Sequence, residues 1–262
     1  MSGSRGRQPT IGKALSPVHV LDNPVWWALT GPQLGLGAST PLAARFDPEV
    51  SPFGGFSAPP TGDHWRDMAS LVGPRGMVSI TGPGTGPPGD PRRGEEPPKG
   101  WRVILALEGV QMVADRPAPR VDPAAGAGLP DGSPLTLGLG DVPDMLDLVA
   151  VAKPGPFLPR TVEFGGYLGI RREGRLVAMA GERLQPPGYV EISAVATHPD
   201  HRGNGLAGRL VGAVMAAAQE RRTVPFLHVA SDNTTAIRLY RQLGFVPRRE
   251  VSFRVLRHSA RR

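Results

Sequence analysis

The chain has 262 residues, 40% of them hydrophobic, enough for one large domain or two of ordinary size around a buried core. Its 35 Gly and 30 Pro call for much irregular chain, and the absence of Cys excludes disulfides, thiolate metal sites and a Cys nucleophile. The formal net charge of +7 is carried almost wholly by Arg spread along the chain, with part of the excess at the ends, and stacking aromatics are scarce. Nucleic-acid binding is therefore disfavoured, and attraction of a small anionic partner explains the charge equally well.

No apolar run reaches the ~20 residues needed to cross a bilayer, and the start Met1-Ser-Gly-Ser-Arg-Gly-Arg7 lacks the apolar core of a signal peptide, so a cytoplasmic protein with no membrane partner is expected. Residues 1–17 read as a flexible tail. Asn23-Pro-Val-Trp-Trp-Ala-Leu-Thr30 has the signature of a helix start, with Asn23 as N-cap and Pro24 in the first helical position. His64–Val72 is a second short helix. Met77–Ile80 and Trp101–Leu107 read as strands, and Val110–Val113 as an extension of a neighbouring one. Between them, residues 82–100 form a Pro/Gly-rich loop without packing composition. The literal G-x-G-x-x-G of Gly84, Gly86 and Gly89 within it is a decoy, because its prolines prevent the helix that a dinucleotide site needs. The division expected is a tail at 1–17, an N-terminal domain at 18–116, a linker at 117–133 and a second domain at 134–257.

In the second domain Leu135, Leu137 and Leu139 alternate as a strand, and Asp141 caps a helix with Asp144 in its first turn. Residues 166–170, 176–184 and 189–197 read as three strands, the first two joined by a hairpin turn at 172–175. A helix runs from Gly205 to about Arg221, a strand covers 226–230, a helix 233–243 and a closing strand 251–256. That order gives an α/β (α+β) mixed sheet flanked by helices.

The segment Ile192–Ala207 carries the chemistry. A strand ends at Pro199, a turn bears Arg202, Gly203, Asn204 and Gly205, and an amphipathic helix begins at once. Such a turn leaves the first helical N–H groups unpaired and aimed at one point, where the aligned peptide dipoles favour a phosphate or pyrophosphate. The glycines permit close backbone approach, and Arg202 adds a charged contact. His198 and His201 flank Pro199 and Asp200 without a third ligand at metal spacing, so no metal site is expected.

Arg202-x-x-Gly205-x-Ala207 resembles the Arg/Gln-x-x-Gly-x-Gly/Ala signature of the GNAT N-acetyltransferase superfamily, with Ala207 where Gly is usual. Ser231-Asp-Asn-Thr-Thr-Ala-Ile-Arg-Leu-Tyr-Arg-Gln-Leu-Gly-Phe245 is similar to that family's second half, and the resemblance covers about Leu135 to Leu256. It implies a mostly antiparallel central sheet and an enzyme that transfers an acetyl group from acetyl-CoA to an amine acceptor by direct attack in a ternary complex. The cofactor would be held by Val195, Ala196 and Thr197 along the central strand, by Arg202, Gly203, Asn204, Gly205, Leu206, Ala207 and Gly208 at the pyrophosphate, and by Asn233. Tyr240, two turns after Asn233, would donate a proton to the leaving thiolate, and Glu191 would be the base, with Glu182 as alternative. Main-chain N–H groups of the central strand would stabilise the oxyanion. The acceptor stays open between a small amine, an amino acid, an antibiotic and a protein N-terminus. A non-catalytic CoA-binding or scaffolding protein is the alternative class. The N-terminal domain, read as helix–helix–strand–strand, hints at a smaller degenerate copy of the same fold that walls the acceptor pocket.

Overall fold

The computed structural model describes residues 19–83, 96–118 and 133–259. The expected tail and almost all of the linker and of the 82–100 loop, including the G-x-G-x-x-G decoy, lie outside the described residues. In chain order the elements are α1 (Pro24–Leu29), β1 (Gly37–Ser39), β2 (Ala43–Phe46), β3 (Phe53–Phe56), α2 (Gly62–Val72), β4 (Met77–Pro83) and β5 (Trp101–Ala114). There follow β6 (Leu135–Thr136), α3 (Val142–Ala152), β7 (Leu168–Arg172), β8 (Arg175–Glu182), β9 (Tyr189–Thr197), α4 (Leu206–Glu220), β10 (Val224–Ala230), α5 (Thr234–Gln242) and β11 (Phe245–His258).

Eleven strands form one sheet in the order β1-β2-β3-β4-β11-β5-β10-β9-β8-β7-β6. Only β3–β4 and β9–β10 pair in parallel; the other neighbours are antiparallel. The two halves of the chain share one sheet and exchange their last strands. β5, from the first half, lies between β10 and β11, while β11, from the second, lies between β5 and β4. The halves also repeat an order: helix, three strands, helix, strand and a closing strand, each with a parallel pair where the third strand meets the fourth. One apolar cluster joins Leu21, Leu29, Phe46 and Phe53 of the first half to Met145, Tyr167, Met179 and Phe226 of the second. Burying side chains of this size contributes roughly 1.5–3 kcal/mol each, so the halves stabilise one another. Polar ties reinforce the join, with Gln33 Nε2 donating to Arg183 O at 2.7 Å and Thr161 Oγ1 donating to Val50 O at 2.7 Å.

The second half follows the expected order closely. The first strand is shorter than expected: only Leu135 and Thr136 pair, and Leu139 sits exposed in a 3-10 turn over Leu139–Asp141. Asp141 precedes α3, but its carboxylate accepts from Gly138 N–H and meets Arg171 at 2.8 Å instead of capping the helix. In the first half, Asn23 occupies the N-cap position of α1 while its Nδ2 donates to Phe56 O. The helix–helix–strand–strand reading missed β1, β2 and β3. β3 is Phe53-Gly-Gly-Phe56, all four residues buried, and a Cβ on Gly55 would stand 2.9 Å from Trp26 N. The glycines that look like strand breakers are there because α1 and α2 press on this strand from its two faces. The pieces at 101–107 and 110–113 are one 14-residue strand, β5, paired with β11 along its length and with β10 from Gly109 to Val113.

Candidate active site

β9 and β10 are hydrogen-bonded neighbours only from Tyr189/Val224 to Glu191/Phe226. Past those residues the two parallel strands diverge, and the gap leaves one edge of β9 without a partner strand among the described residues. Within the gap β9 carries a bulge. Ala196 pairs with Met179 and Ser193 with Gly181, so Ala194 and Val195 together oppose Ala180, and Ala194 has φ of +51°. A bulge of this kind turns peptide groups out of the ladder, and the strain of a non-glycine residue at positive φ is held by the packing around it. Val195 and Thr197 are half-buried here, and Thr197 Oγ1 is buried without a hydrogen-bond partner.

The turn between β9 and α4 has the geometry the sequence implied. His198 Nδ1 accepts from Asp200 N–H, Arg202 Nε donates to Thr197 O at 3.4 Å, and Asn204 Nδ2 donates to His201 O at 3.1 Å. These bonds pin the turn from inside while Arg202, Gly203, Asn204 and Gly205 stay exposed. Gly203 and Gly205 have φ of +80° and +70°, a region that side chains rarely tolerate, and a Cβ on either would meet open space. Gly205 precedes α4 without any side-chain cap, and the first helical bond is from Arg209 N–H to Gly205 O. The N–H groups of Leu206, Ala207 and Gly208 therefore open onto the exposed turn.

α5 lies beside α4, with Leu239 against Gly208. Asn233 Oδ1 caps α5 by accepting from Ala236 N–H at 3.1 Å. Tyr240 is buried edge-on to Phe245, in the same cluster as Leu206 of α4, Ile192 of β9 and Val229 of β10. Burial pushes its phenol up to about 12, so the hydroxyl carries its proton throughout the neutral range.

The carboxylates differ from expectation. Glu191 is completely buried, and Arg183 clamps it through Nε–Oε2 at 2.8 Å and Nη2–Oε1 at 2.6 Å. His228 Nδ1 lies 2.7 Å from Oε1. Burial alone would raise this carboxyl, but the Arg183 charge and its two hydrogen bonds, followed by His228, outweigh it and hold the pKa at about 2. A carboxylate so engaged is a weak proton acceptor, which is a physical obstacle to the base role expected of Glu191. The network continues into the first half of the chain. Gln111 Oε1 accepts from Arg248, so Gln111 Nε2 faces Leu21 O and His228 Nε2, and the imidazole must donate from Nδ1 to Glu191. The alternative, Glu182, is buried with its carboxylate bound to Arg221 and to Gln185 Nε2. Because the folded pKa of Glu191 is depressed from the usual 4.5, its contribution to stability is complete above that value. It should drain away as pH falls from 4.5 towards about 2, which acid titration of the melting temperature will show, with Glu191→Gln flattening the slope.

On the α3 side of the sheet a cavity of about 460 Å³ opens beside His228, Val229 and Ala230, the β10 residues past the last β9 pair. Its opposite wall comes from the first half of the chain, including Phe53, Ser79, Leu105, Leu107 and Glu108. Neither Arg183 nor Glu108, both on this wall, was singled out in the sequence. A signal for Arg183 was present, since it pairs across the β8–β9 hairpin with Glu191, Arg183 N–H donating to Glu191 O at 2.9 Å. Glu108 had none, because β5 joins this site only through the exchanged strand order. No group of His, Asp and Glu suited to a metal ion occurs among the described residues, and no helix there is long and apolar enough to cross a membrane.

Residues 167–255 match the family model described as FR47-like protein. A crystal structure from Novosphingobium aromaticivorans DSM 12444, assigned to the GNAT family of acetyltransferases, is 38% identical, covers 92% of this chain and 100% of its own, and superposes with a TM-score of 0.78. An 82-residue stretch, 30% of this chain, is 40% identical to an uncharacterised protein of Mycobacterium leprae (strain TN). A stretch of the same length is 38% identical to the N-alpha-acetyltransferase RimI of Mycobacterium tuberculosis (strain ATCC 25618 / H37Rv). The matches span 22% and 51% of those two proteins' lengths. With a full-length relative at this identity, a family model on the bulged strand and its helices, and the sheet and turn described above, the chain belongs to the GNAT family of acetyltransferases.

Proposed function

We propose that the protein transfers an acetyl group from acetyl-CoA to an amine by direct attack in a ternary complex. The observation that carries this reading is the uncapped start of α4 behind the exposed Arg202–Gly205 turn, placed at the end of a bulged strand that has lost its neighbour. Pyrophosphate would sit on the N–H groups of Leu206, Ala207 and Gly208 with Arg202 beside it, and the pantetheine arm would add to the open edge of β9 by main-chain bonds at Val195 and Thr197. Thr197 Oγ1, buried and unpaired, gains a partner in that arrangement. Asn233 would border the arm. The amine nitrogen attacks the thioester carbon, peptide N–H groups turned out at Ala194–Ala196 steady the oxyanion, and collapse breaks the C–S bond. Tyr240 gives its proton to the departing sulfur. The amine's proton leaves toward the cavity, where Glu108 is the one carboxylate among the lining residues, while Glu191 holds Arg183 and His228 in place.

The first half is best read as a copy of the same fold that has lost its cofactor turn. Its element order and parallel pair repeat those of the second half. However, α2, which follows β3 as α4 follows β9, begins at Thr61, whose N–H and Oγ1 are both bonded to His64 Nδ1. That helix start is closed to an anion.

Gly205→Asn tests the cofactor site without straining the turn, since Asn tolerates positive φ and its side chain would enter open space. Calorimetry should show acetyl-CoA binding weakened about 10-fold or more with an unchanged melting temperature. Undiminished affinity would remove the pyrophosphate assignment. Wild-type protein that binds acetyl-CoA yet transfers nothing to any amine would instead favour the non-catalytic CoA-binding class.

A further inference from the structure

The cavity beside β10 has a composition that chooses among amines, and this step rests on the acyl-transfer reading above. At about 460 Å³ it is of small-ligand size, where clefts run from ~300 to ~1,000 Å³. Most of its wall is apolar. Leu105 and Leu107 of β5 stand 47% and 51% exposed, which is unusual for leucines on a strand, and they face Phe253, Phe157 and the prolines of the loop after α3. Four lining residues are polar: Ser79, Glu108, Arg183 and His228. His228 has both ring nitrogens engaged, and Arg183 gives two of its edges to Glu191 and lies over the Phe53 ring at 4.8 Å. The only acidic lining residue is Glu108, at the exposed end of the wall.

Charge and shape then select together. A polyamine or an aminoglycoside brings several ammonium groups, each of which loses water on entry and needs a carboxylate or carbonyl in return. One carboxylate answers one ammonium, and the buried Arg183 cation repels a second. An extended peptide brings amide groups that a leucine, phenylalanine and proline wall leaves unpaired. We infer that the acceptor is a small primary monoamine on an apolar or aromatic body, its ammonium met by Glu108 and its body laid against Leu105, Leu107 and Phe253. Selection among acceptors is thereby the work of the first half of the chain, through β5, and cofactor binding that of the second.

The test uses the full chain with 2-phenylethylamine, spermidine and an alanine-first tripeptide as probes. Direct amine binding is followed by saturation-transfer NMR with CoA present, and acetyl transfer by mass spectrometry. The expected result is binding and transfer for 2-phenylethylamine, with kcat/KM at least about 10-fold above the other two. Leu107→Lys places a charge on an already exposed position, so the fold is kept. It should lower 2-phenylethylamine binding and kcat/KM by about 10- to 100-fold, the scale of burying one aromatic side chain, with acetyl-CoA affinity unchanged. Preferred transfer to spermidine or to the tripeptide would overturn the inference and leave acyl transfer standing, as would indifference to Leu107→Lys. Failure to bind acetyl-CoA would overturn the acyl-transfer reading, and amine binding by NMR would still report on the cavity.

Discussion

Tyr240→Phe should lower turnover by about 10²-fold with little change in acetyl-CoA affinity, the lower end of the range for a lost general acid. The lower end applies because a thiol has a pKa of about 8.5 and its thiolate leaves well without help. The substitution keeps the ring that packs on Phe245 and in the cluster with Leu206 and Ile192, so stability should move little. Burial raises the phenol to about 12, so the rate should not follow a tyrosine ionisation below about pH 10. Rapid-quench measurement of the chemical step decides the matter: an unchanged rate means that Tyr240 is a core residue, and the family assignment is unaffected.

Arg183→Met should cost about 3–5 kcal/mol of stability, because it strips the charge partner from a carboxylate with no exposure to solvent. The pH dependence gives the sharper result. With Arg183 present, the Glu191 pKa is depressed, and stability falls as pH drops below 4.5. Without it, burial dominates and the pKa rises above its unfolded value, so the variant should gain stability as pH drops and Glu191 takes up a proton. Urea titrations of both proteins between pH 4 and 7 would show slopes of opposite sign. Parallel slopes would mean that His228 and Gln111 suffice to keep Glu191 charged. Arg183→Met/Glu191→Gln should recover part of the loss, since the buried charge is then gone.

Local signals decided most of the second half. The 3.6-residue period from Leu206, the alternation through β8 and β9, the Asn233 cap and the glycine stop at Gly244 are each written in neighbouring residues, and the elements appear where those signals lie. The cofactor turn was legible for the same reason. Its work is done by main-chain N–H groups and by two glycines at positive φ, and both depend on residues adjacent in sequence. The first half was less legible because its glycines report contact and not turning. Gly54 and Gly55 sit in a strand between two helices, and no window of local sequence contains the helix that presses on them.

The acceptor side lay beyond sequence reasoning altogether. Glu191 was correctly placed on the central strand, but its ionisation depends on Arg183 and His228, 8 and 37 residues away. Those partners convert an expected base into a clamped anion. Glu108, Leu105 and Leu107 reach the site only because the two halves exchange their closing strands, which sets β5 beside β10 across more than a hundred residues of chain. The sequence by itself determined the family, the cofactor turn and the order of elements, because these rest on short-range backbone chemistry. The tertiary structure alone decided which carboxylate is available to a substrate and which wall the acceptor meets, because protonation and burial depend on neighbours in space.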